Sequence, residues 1–521
     1  MGVYPYNNFY EMIAANAASH PKKPLLFIDD TKTTHAQFLE KVDAFARFLT
    51  SAGIGRGDRV ALIAPNCEEF AVTVFAVTKI GGVAVPLNNM LKAAEYEYIL
   101  NDCGARILVT AKKFIAEVAG IRTKTPVEKT VWIDEAPGYS ANDLAFHRHG
   151  VMPTATEAKG ALPSLDDLAI IFYTSGTTGK PKGAMISYRN IFSNLAAAKE
   201  LFKITPKDRF IVYLPMFHAF TFTVMLMLPF YTAASFVIIR NLMPFSNILK
   251  QTLLKRVTVF LGVPDIYNAL IRADLPWYFL WFNAIRAFIS GASALSQDTV
   301  AKFKKSFSRA TMLEGYGLSE CSPAVSCNTF ENQKSGSVGQ PLPGYEVKIV
   351  DAEMVELPRG EVGEVIVKGD CVMQGYLNNP EATEETIING WLRTGDLGRM
   401  DEEGYLYIVD RMKDLIISKG LNIYPREVEE ALNALAYIKA AAVIGVPDPH
   451  SGEAPVAYVE LEEGVDPAAL SQASIKAELK HDLANFKIPK SVHIVDELPK
   501  NATGKVLKRV LKERLAASAQ G

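Results

Sequence analysis

Between Arg59 and Thr110, strand-like and helix-like stretches alternate. Arg59 to Ala64 reads as a strand, Glu68 to Lys79 as a helix and Gly82 to Pro86 as a strand; a short helix near Glu95 to Leu100 leads to the strand Arg106 to Thr110. Strands that alternate with helices need crossover connections, so they predict a mostly parallel sheet covered on both faces. Upstream, Asn7 and Asn8 precede Phe9, Met12 and Ile13, a plausible first helix. Thr34 is placed to cap a second, with Phe38, Leu39, Val42, Phe45, Phe48 and Leu49 at helical spacing and Gly53 as its stop. These apolar faces read as core.

The apolar run Leu168 to Tyr173 reads as a buried strand. It runs into Thr174, Ser175, Gly176, Thr177, Thr178, Gly179, Lys180, Pro181, Lys182 and Gly183. Glycines let backbone N–H groups approach a phosphate, and hydroxyls and ammonium groups add donors and charge. The stretch reads as a mobile phosphate-gripping loop; the plainer alternative is a polar turn after a strand. It is not a Walker A loop, because Thr174 stands where that pattern needs glycine and Pro181 where it needs Ser or Thr. Nor is Gly315 to Glu320 a dinucleotide fingerprint, since it ends in Glu.

Further along, Tyr188 to Phe202 reads as a helix and Leu214 to His218 as the start of an apolar tract. A lone His there is usually a packed core residue. From Phe210 to Ile239 no residue other than His218 can carry charge. That is long enough to span a bilayer, but Pro215 and Pro229 interrupt it. It reads instead as strand, loop, buried helix and strand, and peripheral membrane contact stays open. Leu261 to Pro264 looks like a strand and tight turn. The aromatic tract Trp277 to Phe288 could line an acyl tunnel or belong to the core.

In Leu313 to Glu320, Tyr316 offers a ring for stacking, Ser319 a hydroxyl and Glu320 a hard oxygen ligand suited to Mg²⁺. In Asn389 to Asp396, Asp396 sits among glycine-bearing turns, where it could accept two ribose hydroxyls or be a structural turn residue. Met400 to Gly404 reads as a hairpin turn. A boundary falls at Asp410, giving domains 1–409 and 410–521. In the second, Ala441 to Val446, Ala454 to Leu461 and Val492 to Val495 read as strands, and Pro467 to Leu483 and Gly504 to Leu515 as helices. The fold class is therefore α/β: a large N-terminal domain with mostly parallel sheets covered by helices, plus a small α+β C-terminal domain. Lys505, Lys508 and Lys512 would by default form a solvated face.

A net charge of −2 supplies no basic field for nucleic acid. The cysteines at 67, 103, 321, 327 and 371 form no CxxC pair and read as reduced thiols of a cytoplasmic protein. The first residues show no charged-then-apolar leader.

Taken together, these motifs resemble, in order, those of adenylate-forming enzymes: acyl-CoA synthetases, luciferases and adenylation domains. The stretches Leu313–Glu320, Asn389–Asp396 and Ile408–Pro425 look most like fatty acid–CoA ligases. Two departures stand out. Ser319 replaces a usual Thr, and Tyr188 stands where His often follows the phosphate loop. The resemblance implies a medium- to long-chain acid, ATP and coenzyme A as substrates, with Mg²⁺. An aryl acid or another acceptor is the alternative. It implies that Thr174 to Lys182 grip phosphates, that Glu320 holds Mg²⁺ and that Ser319 binds phosphate. Gly291, Ala292, Glu314 and Tyr316 would frame adenine, and Asp396 and Arg411 would hold ribose. His218 and Gly317 would line the acyl pocket. Lys505 would contact the carboxylate and the α-phosphate, the C-terminal domain would move about Lys413, and Gly420 would border the coenzyme A channel. A homodimer is compatible with this reading.

Overall fold

The computed structural model describes residues 2–134, 143–146, 161–174, 180–240, 244–273, 275–291, 297–500 and 504–518. They form two compact units. The first comprises Met1–Gln333, Gly339–Glu346 and Val367–Leu392; the second comprises Lys334–Val338, Val347–Ile366 and Arg393–Gly521.

The first unit contains two large sheets. One has eight strands, with Val83–Pro86, Arg59–Ile63, Ile107–Thr110 and Lys129–Trp132 as parallel neighbours. This is the predicted alternating region. Its strands are buried along nearly their whole length, as a sheet covered on both faces requires. The other has nine strands, including Thr311–Gly317, Ala287–Ser290, Val259–Gly262, Arg209–Val212 and Ser235–Ile238 in parallel. The helix starts follow the sequence. Asn8 accepts from the Glu11 N–H, and Thr34 and Gln37 form a capping box.

Leu168–Thr174 pairs antiparallel with Lys182–Ser187, so the phosphate-loop candidate joins two strands of one hairpin. Several expectations need correction. Pro264 opens a helix, Pro264–Arg272, because proline suits a first helical turn. Within Pro467–Leu483 only Gln472–Leu479 is α-helical. The last helix starts at Lys508, not Gly504. The uncharged tract does form a strand, a buried helix with a π-helical stretch at Thr221–Met227, and the strand Ser235–Ile238.

The second unit holds a five-stranded sheet in which Ile438–Asp448 pairs with Gly452–Leu461. Side chains alternate across a strand, so this sheet serves two cores. Val443, Ala457 and Val459 pack with Val428, Leu432, Ile475 and Leu479. Ala442, Ile444, Val456 and Tyr458 pack with Leu498 and Leu511. Lys508 is not a solvated surface lysine. It pairs with Glu429 at 2.8 Å. Burial opposes its charge, but Glu429 and Asp410 outweigh this and raise its pKa.

Candidate active site

In the first unit, the site grows from the hairpin. Tyr173 lies opposite Gly183, and Thr174 opposite Lys182. A Cβ on Gly183 would sit 2.9 Å from Ile171 and 3.1 Å from the Tyr173 ring, so only glycine fits without displacement. Residues 175–179 (Ser175, Gly176, Thr177, Thr178 and Gly179) lie outside the described residues, as does Ala292.

The base of the loop is tied to the helix Ala93–Cys103. The Tyr173 hydroxyl donates to Asp102 Oδ2, and Lys180 lies 5.4 Å from the centroid of the Tyr98 ring. Burial, with the charges around Asp102, holds Tyr173 as a neutral phenol donor. Tyr173→Phe is expected to raise the KM for ATP about tenfold or more while leaving the KM for the acid nearly unchanged, since a hydrogen bond to a charged group is worth about 1.5–3 kcal/mol. Steady-state kinetics with each substrate varied checks this.

A third strand, Gly375–Tyr376, pairs with the far side of the hairpin, with Tyr376 opposite Ala184. Its hydroxyl donates to Glu320 Oε1 at 3.0 Å, and Thr174 Oγ1 donates to the same oxygen at 3.4 Å. Lys182 lies 5.2 Å from the Tyr376 ring centroid. The Glu320 carbonyl accepts from Met373 N–H at 2.9 Å. Burial and the Glu320 charge push Tyr376 well above the usual phenol range, so it stays a donor. Thr174, at the start of the loop, and the carboxylate of Glu320 thus meet. Ser319 and Glu320 share one short helical turn, Ser319–Cys321.

In the same unit, Glu314 lies opposite Ser290 at the end of the parallel strands, next to Gly291 in the chain. A Cβ on Gly291 would meet the Phe220 ring at 3.1 Å. Tyr316 follows on the same strand as Glu314. A Cβ on Gly317 would fall 1.9 Å from the Pro323 carbonyl oxygen, so that glycine is required by the chain's return past it. His218 is half-buried and its Nδ1 accepts from the Phe220 N–H at 3.4 Å. It opens the helix that becomes π-helical at Thr221, a form frequent at functional sites.

In the second unit, Asp396 is not in a turn. It lies within the strand Trp391–Met400, directly opposite Arg411. It is 4% exposed, and the Arg411 Nε lies 3.0 Å from its Oδ1. Lys505 belongs to the same neighbourhood. Its side chain reaches solvent, with the charged groups of Arg411, Asp396, Lys413 and Asp414 near it. Burial and the Arg411 guanidinium lower its pKa to about 8; Asp396 opposes this shift and Lys413 adds to it. Lys413 lies in the short turn Met412–Asp414. Gly420 lies in the two-residue turn between Ile416–Ser418 and Leu421–Ile423, with φ of 50° at Lys419 and 77° at Gly420. Two positive φ values make a type I′ turn, which favours glycine there.

Neither Tyr376 nor Asp102 was found from the sequence. Each reaches the site through long-range pairing, and no local pattern marks it.

A carboxylate at the base of a Gly/Thr/Lys loop in the first unit and, within the second, an acid–guanidinium pair near a perturbed lysine are groups that a nucleotide-using enzyme of the adenylate-forming class would employ. Comparison with known proteins agrees. Residues 13–377 match the AMP-binding enzyme family, and residues 427–505 match the AMP-binding enzyme C-terminal domain. The chain belongs to this family, as an adenylate-forming acyl- or aryl-CoA ligase, an acid–thiol ligase. It is 33% identical to a long-chain-fatty-acid–CoA ligase of Escherichia coli O6:H1, over 98% of this chain and 94% of that protein. It is 34% identical to a feruloyl-CoA synthase of Amycolatopsis sp, over 93% and 94%. Among solved structures, an anthranilate CoA ligase in complex with anthranoyl-AMP superposes with a TM-score of 0.91 at 28% identity, covering 100% of this chain and 99% of that one.

Proposed function

We propose that this protein joins a medium- to long-chain fatty acid to coenzyme A at the expense of ATP, through an acyl-adenylate. The observation that carries the chemistry is Glu320, held at the base of the hairpin loop by Tyr376 and Thr174. The observation that favours an alkyl acid is the full-length similarity to fatty-acid ligases.

A carboxylate resists nucleophiles because its charge repels them. In the first half-reaction its oxygen attacks the α-phosphorus, the bond to the β-phosphate oxygen breaks, and pyrophosphate leaves. Such a step is driven by positioning and by fixed charges that meet the spreading negative charge. In this reading Thr174 to Lys182 hold the β- and γ-phosphates and Ser319 donates to phosphate. Asp396 and Arg411 hold the ribose, and Gly291, Ala292, Glu314 and Tyr316 frame adenine. His218 and Gly317 border the acid.

Mg²⁺ suits the donors present. Among the described residues, both hydrogen bonds to the Glu320 carboxylate fall on Oε1, which leaves Oε2 for a cation. No group of three or more His, Cys, Asp or Glu side chains forms a metal cage among the described residues. Magnesium is commonly held by one or two carboxylates plus substrate phosphates. When bound, it neutralises phosphate charge.

In the second half-reaction the thiol of coenzyme A attacks the acyl carbonyl, the carbonyl–AMP bond breaks, and the thiol proton is released. Here residues 410–521 act as a mobile domain about Lys413, and Gly420 borders the pantetheine path. A Cβ on Gly420 would meet nothing among the described residues within 4 Å, which supports this. Gly420→Leu is expected to spare adenylate formation and slow thioester formation about tenfold or more, although a non-glycine residue at positive φ also costs about 1 kcal/mol. Gly420→Asn, which tolerates this backbone, is the control. Equal losses of both half-reactions in both variants would assign the effect to the turn instead. The five cysteines are all free and buried, which suits a reducing cytoplasm.

The pKa of Lys505 gives a pH profile. The cation is the active form and is lost as pH rises through about 8. The kcat/KM for adenylation, which reports the free enzyme, is expected to fall above that pH. Lys505→Arg keeps its charge and should lose this alkaline limb. A limb that persists in the arginine variant would exclude Lys505 as its source.

The feruloyl-CoA synthase relative and the anthranilate ligase structure favour a second reading, an aryl acid. Pyrophosphate release across straight-chain acids and benzoate separates the two. A maximum at medium or long chains supports the fatty acid; turnover of benzoate alone supports the aryl acid.

A further inference from the structure

The helix Trp277–Phe282 does not line the interior, as its composition led us to expect. Trp277, Tyr278, Trp281 and Phe282 are 69, 47, 70 and 67% exposed. Phe279 alone is buried, with its ring 6.4 Å from that of Phe307. The helix is firmly built. The Asn283 side-chain amide donates to the Phe279 and Leu280 carbonyls at 2.8 and 3.0 Å. The Arg309 guanidinium donates to the Leu280 and Trp281 carbonyls at 2.7 and 2.6 Å. The aromatic side chains are therefore displayed on a fixed backbone. Exposed apolar residues are usually scattered singly, whereas a contiguous patch marks an interaction surface.

The surroundings indicate the partner. The helix Ser246–Leu254 packs beside this one and adds Leu254, 62% exposed. Lys250 and Arg256 near that neighbour, and Lys304, Lys305 and Arg309 on the Phe307 side, are exposed. Residues 245–310 carry nine Lys and Arg against three Asp, in a chain of net charge −2. Two copies of the chain pairing through this face would set like charges against each other. An anionic lipid surface fits both features. Indole and phenol rings favour the headgroup level, and basic side chains are drawn to a negative leaflet.

We propose that the Trp277–Phe282 helix, rimmed by these lysines and arginines, docks the protein onto anionic phospholipid bilayers. The protein then lies on the surface; among the described residues no helix is long and apolar enough to cross a membrane. The proposal stands whichever acid the enzyme uses.

Trp277 and Trp281 are two of only four tryptophans in the chain, and Trp132 is buried, so intrinsic fluorescence reports on this face. The test is titration of the full chain with vesicles of phosphatidylcholine, with and without phosphatidylglycerol, read by tryptophan emission and by co-sedimentation. The expected result is a blue shift and sedimentation with the anionic vesicles, weakened by salt. Trp277→Ser/Trp281→Ser should bind about tenfold or more weakly, because surface binding scales with the apolar area inserted. Its circular dichroism and melting should match the parent protein, since both side chains are exposed. Three results would overturn the proposal: no preference for anionic vesicles, equal sedimentation of the double variant, or concentration-dependent self-association that the double substitution abolishes.

Discussion

Lys505→Ala is expected to slow acyl-adenylate formation about a thousandfold while leaving thioester formation from synthetic acyl-adenylate nearly intact. The size follows from electrostatics. A charge pair about 4 Å apart at an effective dielectric of about 20 is worth about 4 kcal/mol, or about three orders of magnitude in rate if realised in the transition state. An ordinary surface lysine would cost less than about 0.5 kcal/mol of stability and little activity. The surroundings of Lys505 fit the larger figure: its neighbours are Arg411, Asp396, Lys413 and Asp414, and they perturb its titration. Lys508→Ala is the contrast. It breaks the pair with Glu429, so it should lower the melting temperature without separating the two half-reactions. Rapid-quench measurement of each half-reaction distinguishes the two lysines.

Glu320→Gln is expected to cost about a hundredfold to a thousandfold in adenylation, the range for removing one preorganised group from a charge-stabilising site. The amide keeps the side chain's shape and an oxygen that can accept from Tyr376. What it loses is the negative charge, so the half-saturating Mg²⁺ concentration should rise while the melting temperature hardly moves. Removal of Mg²⁺ by chelation should abolish turnover of both proteins. A loss under about tenfold with unchanged Mg²⁺ dependence would move the cation elsewhere. Tyr376→Phe, which removes only the 3.0 Å hydrogen bond to Glu320, should cost about tenfold, near the low end for a bond to a charged group.

What could be read from the sequence follows the range of the interactions involved. The alternation from Arg59 to Thr110 is local and periodic, and the sheet has the predicted strands. The two strands at Ile438–Asp448 and Gly452–Leu461 showed their period of two in the same way. Asp396 looked like a turn residue because glycines flank it. Its strand and its pairing with Arg411 depend on a partner segment fifteen residues away. Tyr376 joins Glu320 only because its strand pairs with the hairpin after the phosphate-loop candidate. The aromatic tract was misjudged for a different reason. Hydrophobicity predicts burial, and only the packed neighbours show that one ring of this helix faces inward while four face out. Gly317 and Gly420 illustrate a further limit. Each has a backbone reason for being glycine, which the sequence does not separate from a role in a pocket or channel.

Activation of a fatty acid on ATP before coenzyme A enters would appear as isotope exchange between pyrophosphate and ATP without coenzyme A. The reaction would contain Mg²⁺ and a medium- or long-chain acid. The expected exchange depends on the acid, peaks with chain length and nearly vanishes in Lys505→Ala. Exchange that requires coenzyme A, or that proceeds equally in the alanine variant, would contradict it.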